Sequence, residues 1–122
     1  MKEGAGRIRT VFASDEFKQF YDDSEERIQQ KLDQVIYIIE RVYVLQTKFV
    51  KKLIGVNLYE MRISVGYNEY RTILFAVDHE NIIQSTKVIL LNSFLKKSNK
   101  DYKAQIKIAE RIIKSMDYDT NR

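Results

Sequence analysis

Lys51-Lys52-Leu53-Ile54-Gly55 leads into Leu58-Tyr59-Glu60-Met61-Arg62, then a short turn, Tyr70-Arg71, an apolar run and Asn92-Ser93-Phe94-Leu95-Lys96-Lys97. Apolar and charged residues alternate through most of this stretch, the pattern of antiparallel strands with one face on a core and one face open. Tyr59, Met61, Ile63 and Val65 point one way, toward helices, and Leu58, Glu60, Arg62 and Ser64 the other. A cationic site is expected on the open face.

The turn sets the register. With Gly66-Tyr67 as a two-residue connection and Gly at its first central position, the hairpin is type II′ and Val65 faces Asn68. Three residues back on each side, Arg62 falls opposite Arg71. Like charges directly opposed on a sheet are destabilising. Either an anion sits between them or the loop is longer and the register slips.

Upstream, Arg7 to Ala13 alternates as an edge strand, with Ile8, Thr10 and Phe12 on one side. Ser14 then caps a helix whose first turn carries Asp15 and Glu16, where the helix dipole favours acids, and whose core face is Phe17, Phe20 and Tyr21. A second helix is predicted from Ser24 to Gln46, since Ile28, Leu32, Val35, Ile36, Ile39, Val42 and Tyr43 recur at three- and four-residue steps. This stripe must lie on the sheet, above Tyr59, Met61, Ile63, Leu74 and Leu90. Thr47 to Val56 reads as a basic connector.

Downstream, strands are predicted over 57–65, 69–77 and 82–94. Val88-Ile89-Leu90-Leu91 is continuously apolar, which implies cover on both faces. Asp78 to Asn81 is a turn, where the single histidine, His79, reads as a solvated side chain. Ser98 or Asn99 caps a last helix with Tyr102, Ile106, Ala109, Ile113 and Met116 on one face. The fold class is therefore α+β, in the order β-α-α-β-β-β-α, with a hairpin sheet packed on a helix pair. Residues 1–122 are expected to form a single domain, frayed at 1–6 and 117–122.

The net charge is +4, and its distribution says more than its size. From Lys48 to Lys100 there are nine Lys or Arg against four Asp or Glu, whereas Ser14 to Arg27 holds two basic residues and six acidic ones. Such a patch attracts phosphate backbones and acidic partner segments alike. With no cysteine there is no disulfide framework and no thiolate zinc site. No export signal and no membrane-length apolar run appear, so a cytoplasmic protein with no membrane partner is expected. Glycine-rich phosphate loops, paired histidines and a serine beside a histidine are also missing from the sequence.

Leu58-Tyr59-Glu60-Met61-Arg62, Tyr70-Arg71 and Leu91-Asn92-Ser93-Phe94-Leu95-Lys96-Lys97, followed by a helix with Ala109 and Arg111, together resemble the RelE/ParE superfamily of bacterial toxins. The chain is most similar to the HigB-like, phage-derived branch, which shares the pattern LYELR, yR and F-x-KK. The resemblance spans about Lys51 to Arg111. It implies a RelE-like toxin of a type II toxin–antitoxin system, an mRNA endoribonuclease (mRNA interferase) that commonly acts on the ribosome and inhibits translation. It also implies a cognate antitoxin, for which a neighbouring helix-turn-helix protein would be the sign. Two other classes stay open, a ParE-like DNA gyrase poison and a non-catalytic RNA- or antitoxin-binding module.

On this resemblance Arg62, Arg71, Lys96, Lys97 and Glu60 form the active face. Lys51, Lys52, Lys87, Lys100 and Tyr102 are expected to bind substrate around it. Tyr102 lies where some relatives place a functional tyrosine, although its helical spacing reads as core. Glu60 stands where some relatives have a basic residue, and the histidine-based site of other HigB toxins is missing. Cleavage of RNA with no metal and no cofactor needs a base for the ribose 2′-OH, cations for the scissile phosphate and an acid for the leaving oxygen. Arginine suits the cation and is a poor base. The base is then Glu60, a lysine crowded by the two arginines, or a group on the ribosome, and of these a lysine is favoured over Glu60.

Overall fold

The structure is a computed structural model that describes residues 6–120, with the side chains of 6–116. The elements in chain order are β1 (Thr10–Ala13), α1 (Asp15–Asp23), α2 (Glu26–Arg41), β2 (Val50–Lys52), β3 (Tyr59–Val65), β4 (Asn68–Ala76), β5 (Lys87–Leu95) and α3 (Lys100–Thr120). They build one sheet in the order β1-β5-β4-β3-β2. β1 runs parallel to β5, and every other pairing is antiparallel. The basic connector thus contains a short edge strand, β2, which the charged Lys51-Lys52 pair had hidden. α3 also continues into the stretch expected to be unpacked, while residues 1–5, 121 and 122 lie outside the described residues.

Ser14 caps α1 as expected, its Oγ accepting from the Phe17 N–H at 3.0 Å. Ser24 does not start α2. It ends α1, donating its hydroxyl to the Phe20 carbonyl at 2.6 Å, and Glu25 occupies the N-cap of α2 with no side-chain cap bond. Ile28, Leu32, Val35 and Ile39 bury the α2 face on Tyr59, Met61, Ile63, Leu74 and Leu90, with Ile36 partly buried beside them.

α2 stops at Arg41 rather than Gln46, leaving Val42 and Tyr43 43% and 55% exposed. β-branched and aromatic residues add little helix propensity here, and Arg9 competes for their carbonyls. Its guanidinium, only 1% exposed, donates to the carbonyls of Ile39, Val42 and Tyr43 and, from the far side, to those of Ile82 and Ile83. Burial lowers the Arg9 pKa, with Tyr43 opposing the shift. The cation sits at the C-terminal end of α2, where unpaired carbonyls carry partial negative charge.

The largest departure from expectation concerns the second face of the sheet. It is not open. α3 lies across it, placing Ala109 and Ile112 on Leu58, Ile73, Ile89, Leu91 and Phe94, with Tyr102, Ile106, Ile113 and Met116 partly buried alongside. Val88 to Leu91 is accordingly buried on both sides. The hairpin follows the expected register, with Val65 opposite Asn68, Arg62 opposite Arg71 and Gly66 at φ +62°, the left-handed conformation that a type II′ turn places first.

β5 carries one irregularity that matters for the site. Thr72 pairs with Ser93 and Leu74 with Leu90, so two β5 residues, Leu91 and Asn92, stand against Ile73 alone. This bulge inverts the side-chain phase of the strand. Ile89 and Leu91 face α3 before it, and Phe94 faces α3 after it.

Candidate active site

Four elements meet where the N-terminal turn of α3 overhangs β2, β3 and the end of β5. They enclose a cleft of about 400 Å³ lined by Lys51, Lys52, Glu60, Arg62, Lys96 and Tyr102, together with Leu53, Ile54, Asn99 and Ile106. Register explains the arrangement. Lys51 is opposite Glu60 and Arg62 is opposite Arg71, so two adjacent cross-strand pairs present their side chains to the α3 face.

The anion that the opposed arginines require is supplied by the chain itself. Glu60 Oε2 lies 3.6 Å from Arg62 Nε, and Glu60 Oε1 lies 3.6 Å from Arg71 Nε. The carboxylate is 5% exposed and Arg71 3%. Tyr102 closes the network from α3, donating its hydroxyl to Glu60 Oε1 at 2.5 Å and accepting from Arg71 Nε at 3.2 Å. Burial raises the Tyr102 pKa and the bond to Glu60 adds to the rise, while Arg71 opposes it, so the hydroxyl keeps its proton. Arg71 also donates to Glu69 Oε1 at 3.2 Å and to the Tyr70 carbonyl at 3.1 Å. A hydrogen bond from Ser64 is the main cause that lowers the Glu69 pKa, with Arg71 assisting against burial.

Arg62 differs from Arg71 in exposure. Its side chain is 32% exposed and reaches the cleft, whereas Arg71 forms the floor and touches the cleft only through Glu60 and Tyr102. The expectation that both arginines stand on an open face therefore holds for Arg62 alone. The Tyr102 ring packs edge-on against Phe94 at a centroid distance of 5.5 Å, as its helical spacing predicts, while its hydroxyl reaches the polar network.

The bulge decides between the two neighbouring lysines. Phe94 and Lys96 fall on the α3 side, and Lys96 lines the cleft, its backbone N–H held by the Glu69 carbonyl at 2.8 Å. Lys97 is exposed and does not line the cleft, and its backbone N–H bonds to Asp101. Lys100 is exposed on the first turn of α3, also outside the cleft lining. Lys87 begins β5, at the far end of the strand from Lys96. The structure thus brings together Lys51, Lys52, Glu60, Arg62, Lys96 and Tyr102 above Arg71, leaves Lys97 and Lys100 beside the cleft but outside its lining, and places Lys87 at the far end of β5.

Sequence reasoning missed Leu53, Ile54, Asn99 and Ile106 as cleft residues. Ile54 carried a signal, an apolar residue directly before Gly55, which turns the chain at φ +81° and leaves Ile54 96% exposed. Among the described residues no cluster of His, Cys, Asp and Glu could hold a metal ion, and no helix is long and apolar enough to cross a membrane.

Comparison with curated proteins and with solved structures returns no match. A family model described as phage-derived protein Gp49-like (DUF891) matches residues 15–114, from the first turn of α1 through most of α3, and so takes in every residue of the cleft. On that match the chain belongs to the phage-derived Gp49-like family, a RelE/toxin-like family associated with toxin–antitoxin toxins.

Proposed function

We propose that this protein is the toxin of a type II toxin–antitoxin system and acts as a metal-independent endoribonuclease on messenger RNA, on the ribosome, in the cytoplasm. The observation that carries the reading is the Glu60 carboxylate held between Arg62 and Arg71 at the floor of a cleft rimmed by Lys51, Lys52 and Lys96. A lone carboxylate among cations suits proton transfer beside a phosphate and is a poor cage for a divalent metal.

In this mechanism Glu60 takes the proton of the ribose 2′-OH as its oxygen attacks the adjacent phosphorus. Arg62 and Lys96 bind the phosphate oxygens and stabilise the negative charge that grows on them. The P–O5′ bond breaks, an ammonium of the rim protonates the departing 5′ oxygen, and the products carry a 2′,3′-cyclic phosphate and a 5′-OH. Arg71 and Tyr102 fix the Glu60 carboxylate and do not touch the substrate. An antitoxin with acidic or amphipathic elements would silence the protein by covering the cleft.

The test is cleavage of messenger on programmed ribosomes and of free RNA in the presence of a chelator, with Arg62→Ala and Glu60→Gln as comparisons. Chelator-resistant cleavage lost in both variants is the expected result. Inhibition of gyrase supercoiling without RNA cleavage would favour the gyrase-poison reading instead, and antitoxin binding with neither activity would leave a binding module.

A further inference from the structure

The cleft does not end at Arg62. β2 covers only the first half of the β3 edge, since Val50 pairs with Met61 and the next contact is the Arg62 N–H donating to the Phe49 carbonyl. Beyond it, α2 runs beside the uncovered edge and leaves two further concavities. The first, of about 310 Å³, is lined by Arg62, Lys48, Lys31, Gln34 and Ser64 among others. The second, of about 300 Å³, shares Lys31, Gln34 and Ser64 with the first and adds Arg27 and Gln30. Shared residues make one continuous groove from the cleft to the hairpin tip. Four basic side chains line its extension against the single carboxylate of Glu69, which is already engaged by Ser64 and Arg71.

At the far end the Arg27 guanidinium comes near Gly66, and the next residue, Tyr67, is fully exposed. Nothing in the turn requires an aromatic there, because Gly66 alone supplies the positive φ. Cations along an edge, amides within hydrogen-bonding reach of bases and an aromatic platform at the end are the parts of a single-strand track.

Resting on the ribonuclease reading of the cleft, we infer that the groove between α2 and the uncovered edge of β3 binds single-stranded RNA continuous with the strand in the cleft. Lys48, Lys31 and Arg27 hold successive phosphates, and Tyr67 stacks a base. Arg27, Lys31, Lys48 and Tyr67 thereby hold the messenger outside the reacting nucleotides. Gln30 and Gln34, one helical turn apart on α2, face the strand between those cations.

The experiment measures binding of 2′-O-methyl oligoribonucleotides, which lack the attacking hydroxyl, by fluorescence anisotropy across a salt series. One oligonucleotide of about 4 nucleotides fills the cleft, and one of about 12 also reaches the groove. Wild type should bind the longer one more tightly and with a steeper salt dependence. Arg27→Gln with Lys31→Gln should flatten the logarithmic salt slope for the longer one by about 1.4, from about 0.7 per lost phosphate contact. Tyr67→Ala should weaken it roughly 5- to 150-fold, the effect of losing one stacked base. Lys18→Gln, on α1, controls for net charge, and circular dichroism checks that each variant folds.

Equal affinity of wild type for both lengths, or a length increment that survives the groove variants, overturns the track. So does equally tight binding of a duplex of the same length, or loss of antitoxin affinity in the groove variants with the increment retained. The two readings separate on the short oligonucleotide. If it binds and Arg62→Ala weakens it, the cleft stands whatever the groove does; if neither oligonucleotide binds, the track falls, and the ribonuclease reading falls only if messenger on programmed ribosomes is also left uncut.

Discussion

Arg62 and Arg71 face each other directly across β3 and β4, and each guanidinium Nε lies 3.6 Å from the carboxylate of Glu60. The pair looks symmetrical in the register and is asymmetrical in burial. Arg62 opens to the cleft, while Arg71 is sealed under Tyr102 and the first turns of α3. The two positions therefore have different consequences on substitution.

Arg62→Ala should fold normally and lose cleavage about a hundred- to a thousandfold, or roughly 3 to 4 kcal/mol of transition-state stabilisation, by analogy with removing one donor from an oxyanion site. Ribosomal cleavage rates with thermal melting in parallel check this. Retained cleavage would sink the site.

Arg71→Ala should instead cost about 3 to 5 kcal/mol in stability, because it leaves Glu60 buried without one of its two cations. Urea unfolding measures the loss. Replacing Glu60 and Arg71 together by apolar residues should restore part of it, and a double-mutant cycle with no coupling would show that the pair is not energetically joined.

Lys96→Ala should reduce cleavage more than Lys97→Ala, since only Lys96 lines the cleft. Equal losses would mean that both lysines reach the substrate.

Much of this was legible in the chain. Gly66 and the alternation around it offered the pairing of Arg62 with Arg71 as one of two registers, with a longer loop as the other, and the α2 stripe was enough to name its partners on the sheet. The covering of the second face was legible in principle, because Leu58, Ile73, Ile89 and Leu91 lie on the same side as Glu60 and Arg62. The charges of Glu60, Arg62 and Arg71 on that face obscured it, since alternation reports that a strand has two faces and does not report what covers a charged one. The bulge at Leu91 and Asn92 left no local signal, and neither did Arg9, whose acceptors come from segments about 30 and 70 residues away.

Arg9 yields a further stability test. Five carbonyls from two segments depend on its guanidinium. Arg9→Ala should cost more than about 3 kcal/mol by stranding several buried acceptors, and Arg9→Lys should rescue little, because an ammonium has three donors and no fork. Urea unfolding of both variants checks this, and a near-neutral lysine variant would refute it.

Acid sensitivity should arise partly at Asp78. Burial opposes the shift, but hydrogen bonds from Ser85, Thr86 and Lys87 hold its carboxyl well below the usual carboxylate range. A folded-state value below the unfolded one, about 3.9, gives stabilisation that is present above that pH and lost as the pH falls below it. Asp78→Asn should lower the urea midpoint most at pH 7 and by a smaller amount at pH 3, the remainder of the difference being lost only as the pH falls on through the folded-state value. A constant difference would assign the effect to something other than ionisation.

The adjacent lysines at 96 and 97 acquire a meaning from the bulge that precedes them. Neighbouring residues on an extended strand point to opposite faces, so a doublet delivers one ammonium to the cleft in either phase. A length change at the bulge would exchange one lysine for the other instead of emptying the position. The doublet thus makes the supply of a cation to the cleft insensitive to a one-residue change of length in the strand that leads into it.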